Sequence, residues 1–401
     1  MNNSDCIHEF SAPGRTELAG NHTDHNNGKV LAAPIQLRIT AQVQKKDDNT
    51  VQIYSAGFPD VIVKLKDDKR NDNLHPKPEE TGTTNALVRG IAAEFKKRGY
   101  PIGGFSANTE SNVLPGSGLS SSAALEVLIV RIFDSLYGEE KLSVLETAQI
   151  GQIAENIYFE KPCGLMDQIA CASKGAVSID FVNNKNPIIK QIKFDPSAAG
   201  YTLCIVNTGG SHADLTADYA SIPADMKAVA AFFGKSVLRE LDKETVLSHA
   251  AEIRKALGDR ALLRAIHFFD ENERVDKMTS ILLEMESAVT VAEKEKLFNC
   301  YLELVNESGD SSWKLLQNVY SPHSPEQQGI STALALTKDF FRKQKLFSTN
   351  KVCACRVHGG GFAGTVQVYL PLGAMDAYCA FMERVFGAGA VIPDIKKASG
   401  E

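Results

Sequence analysis

The most informative stretch of the chain is Leu114-Pro-Gly-Ser-Gly-Leu-Ser-Ser-Ser-Ala-Ala-Leu-Glu126. Gly116 and Gly118 allow the backbone to approach a ligand closely, and the serines that follow enter a strongly apolar helix predicted to run to about Leu136. Unpaired amide groups at the start of such a helix, together with its dipole, form a site for an anion. Because serine is also an ordinary N-cap, the stretch alone predicts either a phosphate site or a plain glycine-rich helix start.

Two other glycine-rich segments do not fit the commonest phosphate motifs. Gly234-Lys-Ser236 ends like a Walker A loop, but Val229 stands where that motif requires glycine, so we expect a helix end. Gly359-Gly-Gly-Phe-Ala-Gly364 satisfies GxGxxG, but residues 365–370 alternate like a strand where a dinucleotide fold requires a helix. Neither a P-loop protein nor a Rossmann fold is therefore indicated.

Length and composition favour a two-domain protein that acts on small molecules. The 401 residues are 43% hydrophobic and 23% charged, which is typical of globular domains. A formal charge of -6 and no basic stripe argue against nucleic acid as a partner. The N-terminus lacks a signal-peptide pattern and no run approaches a membrane span, so we expect no membrane segment and a cytoplasmic location. The eight cysteines are dispersed, which predicts reduced thiols.

The hydrophobic pattern predicts mixed α and β structure. Strands are predicted at 36–43, 51–54, 61–65, 188–194, 202–206, 351–357 and 365–370. Helices are predicted at about 84–98, 119–137 and 143–159, and repeatedly from about 223 to 345. This order favours an α+β fold over a regular βαβ array. Turn residues at 183–187 predict either a domain boundary or the turn of a hairpin.

A polar segment near the N-terminus, Ala12-Pro-Gly-Arg-Thr-Glu-Leu-Ala-Gly-Asn-His-Thr-Asp-His-Asn-Asn-Gly28, is interpreted as a loop. Its many hydrogen-bonding groups suit a polyol, whose hydroxyls must all be satisfied. A zinc site at His22, Asp24 and His25 would lack both helical HxxxH spacing and cysteine partners. A surface turn rich in Asn, Asp and Gly is the remaining alternative.

Four segments resemble motifs of the GHMP small-molecule kinases. Residues 115–123 resemble the family's second motif, a loop that wraps nucleotide phosphates, and residues 359–364 resemble its third, with Ala363 where glycine is usual. Residues 12–28 are similar to the signature of the galactokinase family, and Cys163-Gly-Leu-Met-Asp-Gln168 is similar to another galactokinase segment. The resemblance covers most of the chain, in the family's order.

This resemblance implies an α+β, two-domain GHMP kinase fold, with an S5-like domain over residues 1–185 and a ferredoxin-like domain over residues 186–401. It implies that ATP and Mg²⁺ are used to phosphorylate galactose at its anomeric hydroxyl, giving galactose 1-phosphate. Two alternatives stay open: a kinase for a related sugar such as N-acetylgalactosamine or arabinose, and a catalytically silent sugar and ATP sensor. A sugar and ATP are the expected partners, with neither nucleic acid nor membrane.

Carried over position by position, the resemblance implies two catalytic residues. Asp167 would face the anomeric hydroxyl as base or orienting acceptor, and Arg15 would lie between that carboxylate and the transferred phosphoryl group. Ser122 and Glu155 would hold Mg²⁺. The sugar would be bound by Asn21, His22, Asp24, Gly164 and Tyr219. The phosphates of ATP would be bound by Pro115, Gly116, Ser117, Gly118, Leu119, Ser120, Ser121, Ser122 and Ala123.

Three departures of the N-terminal segment from the galactokinase signature change its charged or hydrogen-bonding groups. Asn21 replaces a glutamate that accepts hydrogen bonds from sugar hydroxyls, whereas an amide both donates and accepts. Glu17 stands where the signature has asparagine, as though the carboxylate were displaced by four positions, and His25 replaces a tyrosine. The preferred sugar is therefore left open by the sequence.

Overall fold

The computed structural model of the chain describes residues 6–66, 73–113, 118–210, 215–346 and 351–393. The first compact unit contains the described residues of 1–15, 34–115 and 119–174. The second contains 16–33, Gly118 and the described residues from 175 onward. Because the chain passes from one unit to the other inside two strands, neither unit is one continuous segment. The predicted division into 1–185 and 186–401 stays a prediction.

The strands of the first unit follow the β-branched runs of the sequence. They are the beginning of β1 (Ile7–Ala19), the later part of β2 (Lys29–Lys45), β3 (Thr50–Ser55), β4 (Val61–Lys64) and β5 (Phe105–Ser111). Four of them pair in the order β4-β3-β5-β2, with β3 and β5 parallel and the other pairs antiparallel. Buried and exposed residues alternate along β4, as expected of a sheet with one face on the core.

The helices of the first unit pack through aromatic side chains. They are α1 (Thr84–Lys97), α2 (Ser121–Phe133), α3 (Val144–Ile153) and α4 (Met166–Ala172). The ring centroid of Phe133 lies 5.7 Å from that of Phe95 and 5.4 Å from that of Phe105, so α2 packs on both α1 and β5. A π-helical turn extends α2 to Gly138 and another extends α3 to Tyr158, which confirms the helices predicted to end near 137 and 159.

The second unit contains two sets of antiparallel strands and seven of the described α-helices. Its strands, besides the start of β2, are β6 (Ala176–Asp180), β7 (Ile188–Ile192), β8 (Tyr201–Asn207), β9 (Ala354–His358), β10 (Thr365–Pro371) and β11 (Val391–Ile392). The start of β2 pairs with β6, which pairs with β7, and the other sheet has the order β11-β8-β10-β9. The helices are α5 (Thr216–Phe232), α6 (Lys243–Ser248), α7 (Ala250–Leu257), α8 (Asp259–Ser287), α9 (Val291–Ser311), α10 (Gly329–Lys343) and α11 (Met375–Phe386).

The second unit buries two apolar clusters. One joins β8, β9 and β10 to α10 and α11 and includes Val206, Cys355 and Tyr378. The other joins α5, α7 and α8 and includes Met226 and Phe268. None of the helices in the described ranges combines the length and the apolar character that crossing a membrane requires.

One prediction of local structure is wrong, and one short helix was not predicted. The segment 12–28 is not a loop throughout, because β1 continues to Ala19. Every residue from Ala12 to Ala19 is buried, so the alternation that reveals a half-exposed strand is absent. The short helix α4 was also not predicted, since its seven residues are too few to show a helical period. Elsewhere the expected helix end near Gly234, which has φ of +71°, and the strand after Gly364 are confirmed.

Candidate functional site

In the first unit, Arg15 and Asp167 form a bidentate ion pair. The Nε atom of Arg15 donates to Oδ1 of Asp167 at 2.7 Å, and Nη2 donates to Oδ2 at 3.0 Å. The Arg15 side chain is 7% exposed, whereas that of Asp167 is 33% exposed. The carboxylate is therefore held in one orientation by a buried cation and keeps a face open to a ligand.

The environment of Asp167 favours its ionised form. Burial by itself would raise the pKa of this carboxyl, but the guanidinium of Arg15 and the hydroxyl of Ser120 outweigh burial and lower the pKa. The Ser120 hydroxyl donates to Oδ2 at 2.5 Å. Asp167 consequently carries a negative charge at neutral pH and is a hydrogen-bond acceptor there.

The backbone of β1 fixes Arg15 beside the start of α2. The amide of Arg15 donates to the carbonyl oxygen of Leu119 at 3.0 Å. A Cβ atom at Gly14 would lie 2.6 Å from that same oxygen, so only glycine allows this approach. Ser120 has a left-handed backbone with φ of 58°, which suits the sharp turn into the helix. The N-terminal segment and the serine-rich stretch thus meet within the first unit.

The first turn of α2 offers backbone amides to an anion. Ser120 is the N-cap residue, but its hydroxyl bonds Asp167 and makes no capping hydrogen bond. Ser121, Ser122 and Ala123, all predicted to bind phosphate, are the first residues of the helix. Pro115, Gly116 and Ser117 of the same prediction lie outside the described residues.

Two buried acidic side chains meet between α2 and the π-helical turn that follows α3. The amide nitrogen of Gln168 donates at 3.0 Å to both Glu126 and Glu155. Burial, reinforced by the nearby charge of Glu155, raises the pKa of Glu126 well above its ordinary value. Glu155 also accepts from the ammonium group of Lys161 at 2.7 Å. Both oxygens of Glu155 therefore have partners in this structure, and one of these partners is a half-exposed lysine.

In the second unit, Glu17 takes part in a buried network of charges. Its Oε1 atom accepts from Nη2 of Arg356 at 2.5 Å, and both side chains are at most 4% exposed. Arg356 also donates to Ser308, whose hydroxyl donates to Glu271 at 2.7 Å. Glu271 pairs with Arg274, and although burial alone would raise the pKa of Glu271, that guanidinium and its neighbours lower it to about 2. The displaced carboxylate at position 17 is thus a buried ion-pair partner.

Three of the predicted sugar-binding residues donate to successive carbonyls of the glycine segment 359–364. Asn21 donates to the carbonyl oxygen of Gly359 at 2.7 Å, His22 contacts that of Gly360 at 2.9 Å, and Tyr219 donates to that of Gly361 at 3.0 Å. The two motifs, more than 300 residues apart in the chain, therefore form one structural element of the second unit.

His22 is neutral in this setting. Burial, followed by the neighbouring His25, lowers the pKa of His22 to about 3.

Asp24 accepts from the backbone amide of His25 at 2.9 Å and keeps 13% of its side chain exposed. Gly164, in the first unit, is half-buried two residues before α4. Within the described ranges, no group of three or more His, Cys, Asp or Glu side chains is arranged to hold a metal ion.

Several residues of this element had not been predicted. Arg356, Ser308 and Asn318 come from β9, from α9 and from the chain after α9, and no local motif marks them. Each is buried and polar, but burial is visible only in the folded chain. Asn318 and Arg356 contact the N-terminal segment across 297 and 339 positions, beyond the reach of local patterns.

Two family models match the chain. Residues 86–175 match the model of the GHMP kinases N terminal domain, and residues 2–45 match the galactokinase galactose-binding signature. The first match includes the serine-rich stretch and Asp167, and the second includes Arg15, Asn21 and His22.

Curated proteins and solved structures are similar over nearly the whole chain. A galactokinase of Actinobacillus pleuropneumoniae is 30% identical over 90% of this chain and 84% of its own length. A galactokinase of Streptomyces coelicolor is 29% identical over 95% of this chain and 89% of its own. The structure of Lactococcus lactis galactokinase complexed with galactose superposes with a TM-score of 0.73 at 24% identity, covering 96% of this chain and 90% of that one. The structure of Methanococcus jannaschii mevalonate kinase superposes with a TM-score of 0.59 at 13% identity, covering 97% of this chain and 98% of that one. The predicted α+β GHMP kinase fold is confirmed.

Proposed function

The chain belongs to the galactokinase family, and from this premise we propose that it transfers the γ-phosphoryl group of ATP to the anomeric hydroxyl of galactose. The product is galactose 1-phosphate. The observation that carries the proposal is the bidentate pair of Arg15 and Asp167, joined through Ser120 to the first turn of α2. This arrangement places an acceptor for a hydroxyl, a cation and a set of phosphate-binding amides next to one another. A cytoplasmic location, where ATP is available, stays a prediction.

We assign Asp167 the role of orienting the attacking hydroxyl. Its lowered pKa makes it a weak base, so it accepts a hydrogen bond from the anomeric hydroxyl and aligns the oxygen before transfer. Phosphoryl transfer passes through a loose transition state, in which the nucleophile needs little prior deprotonation. The proton then moves to the Asp167 carboxylate as the new bond to phosphorus forms.

Arg15 supplies positive charge in the same place. Its guanidinium already holds Asp167, and its buried position leaves it few ways to reorganise during the reaction. As negative charge shifts among the phosphoryl oxygens, a fixed cation stabilises it without a further cost of reorientation. The amides of Ser121, Ser122 and Ala123 would bind the phosphates of ATP, aided by the dipole of α2.

Ser122 and Glu155 fit the binding of Mg²⁺. Both provide oxygen, which this cation prefers, and water and phosphate oxygens would complete the coordination. Burial and the charge of Glu155 raise the pKa of the neighbouring Glu126 carboxyl, and Glu155 already pairs with one cation, the ammonium of Lys161, so positive charge is favoured at this place. When bound, Mg²⁺ would neutralise phosphate charge, and the ammonium of Lys161 would leave Glu155 to make room.

Ser122→Ala and Glu155→Gln are each expected to raise the Mg²⁺ concentration needed for half-maximal activity, by roughly 10-fold or more. The reason is that each removes an oxygen ligand or its charge while leaving the sugar residues in place. Titration of Mg²⁺ at saturating galactose and ATP measures the effect. Glu80→Gln, which breaks the buried pair with Arg89 in the same unit, is the matched control and should leave the requirement unchanged. An equal loss of galactose binding measured without nucleotide would contradict the assignment.

On the sugar side, we propose that His22, Asp24, Gly164 and Tyr219 contact hydroxyls. Asp24 presents a carboxylate, and the hydroxyl of Tyr219, whose proton is donated to Gly361, presents a lone pair, so both would accept hydrogen bonds from sugar hydroxyls. Asn21 would act on the sugar through its neighbours and not by contact, because Asn21 is only 1% exposed and its amide nitrogen donates to Glu17 and Gly359.

Asn21→Glu is expected to shift the ratio of kcat/KM between galactose and its analogues. A carboxylate at this position would face the oxygens of Glu17 and Gly359, both acceptors, so the element that carries His22 would have to rearrange. Initial rates across a panel of free sugars measure the ratio, and thermal melting reports the accompanying loss of stability. An unchanged ratio in a folded variant would remove Asn21 from sugar selection.

A screen of ATP consumption with free sugars tests the proposed function. Galactose should give the highest kcat/KM, with arabinose and N-acetylgalactosamine as the related sugars to compare. A catalytically silent sensor would bind galactose and ATP but consume no ATP with any sugar. The retained Arg15 and Asp167 pair favours the enzyme, because a binding protein has no need of a fixed cation beside the reacting hydroxyl.

A further inference from the structure

Two buried side chains of the second unit converge on one carbonyl oxygen. Gly360 O lies 2.9 Å from Nε2 of His22 and 3.1 Å from Nδ2 of Asn318. Asn318 is fully buried and follows the π-helical turn Ser312–Leu316 that ends α9. No motif of the sequence includes it, and the chemistry proposed above does not use it.

The directions of these hydrogen bonds are fixed by chemistry. A carbonyl oxygen only accepts, so the proton of the neutral His22 ring must be on Nε2 and the amide nitrogen of Asn318 must face Gly360. The same nitrogen donates to Oδ1 of Asn21 at 2.8 Å. The amide nitrogen of Asn21 in turn donates to the carbonyl oxygen of Gly359 and to the carboxylate of Glu17. The series of donated hydrogen bonds therefore leads from Asn318 to Asn21, and from Asn21 to the glycine segment.

The backbone of Asn318 holds the glycine segment as well. Its carbonyl oxygen accepts from the amide of Phe362 at 2.5 Å. Gly361 and Phe362 both have left-handed backbones, with φ of +81° and +60°, and a Cβ atom on Gly361 would collide with that oxygen. Such a backbone persists only where surrounding contacts hold it, and Asn318 provides those contacts from both its side chain and its main chain.

This arrangement leaves two buried acceptors unused. Nδ1 of His22 and Oδ1 of Asn318 are buried and have no hydrogen-bond partner among the described residues. Since Nε2 carries the proton, Nδ1 can only accept. Buried acceptors without partners are unfavourable, and a ligand rich in hydroxyl donors would satisfy them.

We propose that Asn318 is a positioning residue for the sugar: by sharing Gly360 with His22 and fixing Asn21, it presents Nδ1 of His22 as an acceptor for a sugar hydroxyl. This inference rests on the proposed function, because it takes galactose to be the ligand. It extends the sugar site to a residue that touches its contacts rather than the reacting atoms.

Asn318→Asp is the direct test, because it keeps the shape of the side chain and removes both donated hydrogen bonds. We expect the dissociation constant for galactose, measured by calorimetry without nucleotide, to rise about 10-fold or more, with the KM for galactose rising in parallel. The kcat at saturating galactose should change by less than about threefold, since Arg15 and Asp167 are untouched. General damage to the fold would instead lower kcat and leave the affinity of the folded fraction unchanged.

Asn306→Asp is the matched control. Asn306 lies in the same unit, and its amide likewise bonds backbone, with Nδ2 donating to Cys353 O and Oδ1 accepting from the amide of Cys355. The same chemical change there should leave galactose affinity at the wild-type value. Wild-type galactose affinity in Asn318→Asp would overturn the inference while leaving the kinase proposal intact.

A second measurement does not depend on any variant folding. Nitrogen-15 NMR of the wild-type protein should show His22 with its proton on Nε2, and added galactose should shift the resonance of Nδ1. A His22 ring protonated on Nδ1, or an Nδ1 resonance unmoved by saturating galactose, would overturn the inference. Both this experiment and calorimetry detect binding alone, so the NMR result tests the contact of His22 with the sugar and the Asn318→Asp result tests the role of Asn318, even if no ATP is consumed.

Discussion

Asp167→Asn is expected to lower kcat by about 10² to 10⁴-fold while ATP binding survives. The substitution keeps the size of the side chain but removes the negative charge that accepts the hydrogen bond of the attacking hydroxyl. It also leaves the buried guanidinium of Arg15 without its counter-charge, so the charge balance around the phosphoryl group changes. Initial rates with saturating galactose and ATP, together with thermal melting, measure both effects.

Asp180→Asn serves as the control for this prediction. Asp180 also pairs with an arginine, Arg239, at 2.9 Å and at a similar exposure of 23%, but it lies in β6 of the other unit. The control should lose at most about 1 kcal/mol of unfolding free energy and retain wild-type kcat. A folded Asp167→Asn protein with near wild-type kcat would mean that the carboxylate only stabilises the start of α4.

Arg356→Met is expected to cause the largest loss of stability, about 3 to 5 kcal/mol of unfolding free energy. Arg356 is 1% exposed, and its removal leaves the buried carboxylate of Glu17 without a cation. Denaturant unfolding of the purified protein measures the loss. The double variant Glu17→Gln/Arg356→Met should recover part of it, because no uncompensated charge is then left at this position.

Arg239→Met is the control for this substitution, because it removes an arginine from an ion pair that is partly exposed to solvent. Arg239 is 26% exposed, so its pairing with Asp180 is screened by solvent and should be worth no more than about 1 kcal/mol. If Arg356→Met were as stable as Arg239→Met, the network around Glu17 would not hold the N-terminal segment in place.

The local parts of the fold were predictable because they leave a local pattern. The β-branched residues of 51–54 and 61–65 predicted the strands β3 and β4, and the apolar run after the serines predicted α2. Strand β1 was missed because the polar residues of its second half, Arg15, Thr16 and Glu17, are buried, and each is satisfied by a distant partner. Polarity in this strand reflects internal hydrogen bonds, whereas a sequence pattern associates it with solvent.

The candidate site was predictable to the extent that it consists of short motifs. Arg15 and Asp167 were identified from two motifs, and the structure joins them by a bidentate pair across 152 positions. The exchange of charge between positions 17 and 21 was visible in the sequence, but its reason was not. Arg356 and Asn318 supply that reason: the arginine requires a carboxylate at Glu17, and the donors and acceptors around Asn21 require an amide.

The most direct test of the account is to identify the product formed from galactose and ATP by phosphorus NMR. We predict a sugar phosphate whose phosphorus couples to the anomeric proton, formed in amounts equal to the ADP released and abolished by Asp167→Asn. A phosphate on any other carbon of the sugar, or no sugar phosphate from a protein that binds both galactose and ATP, would contradict the proposed function.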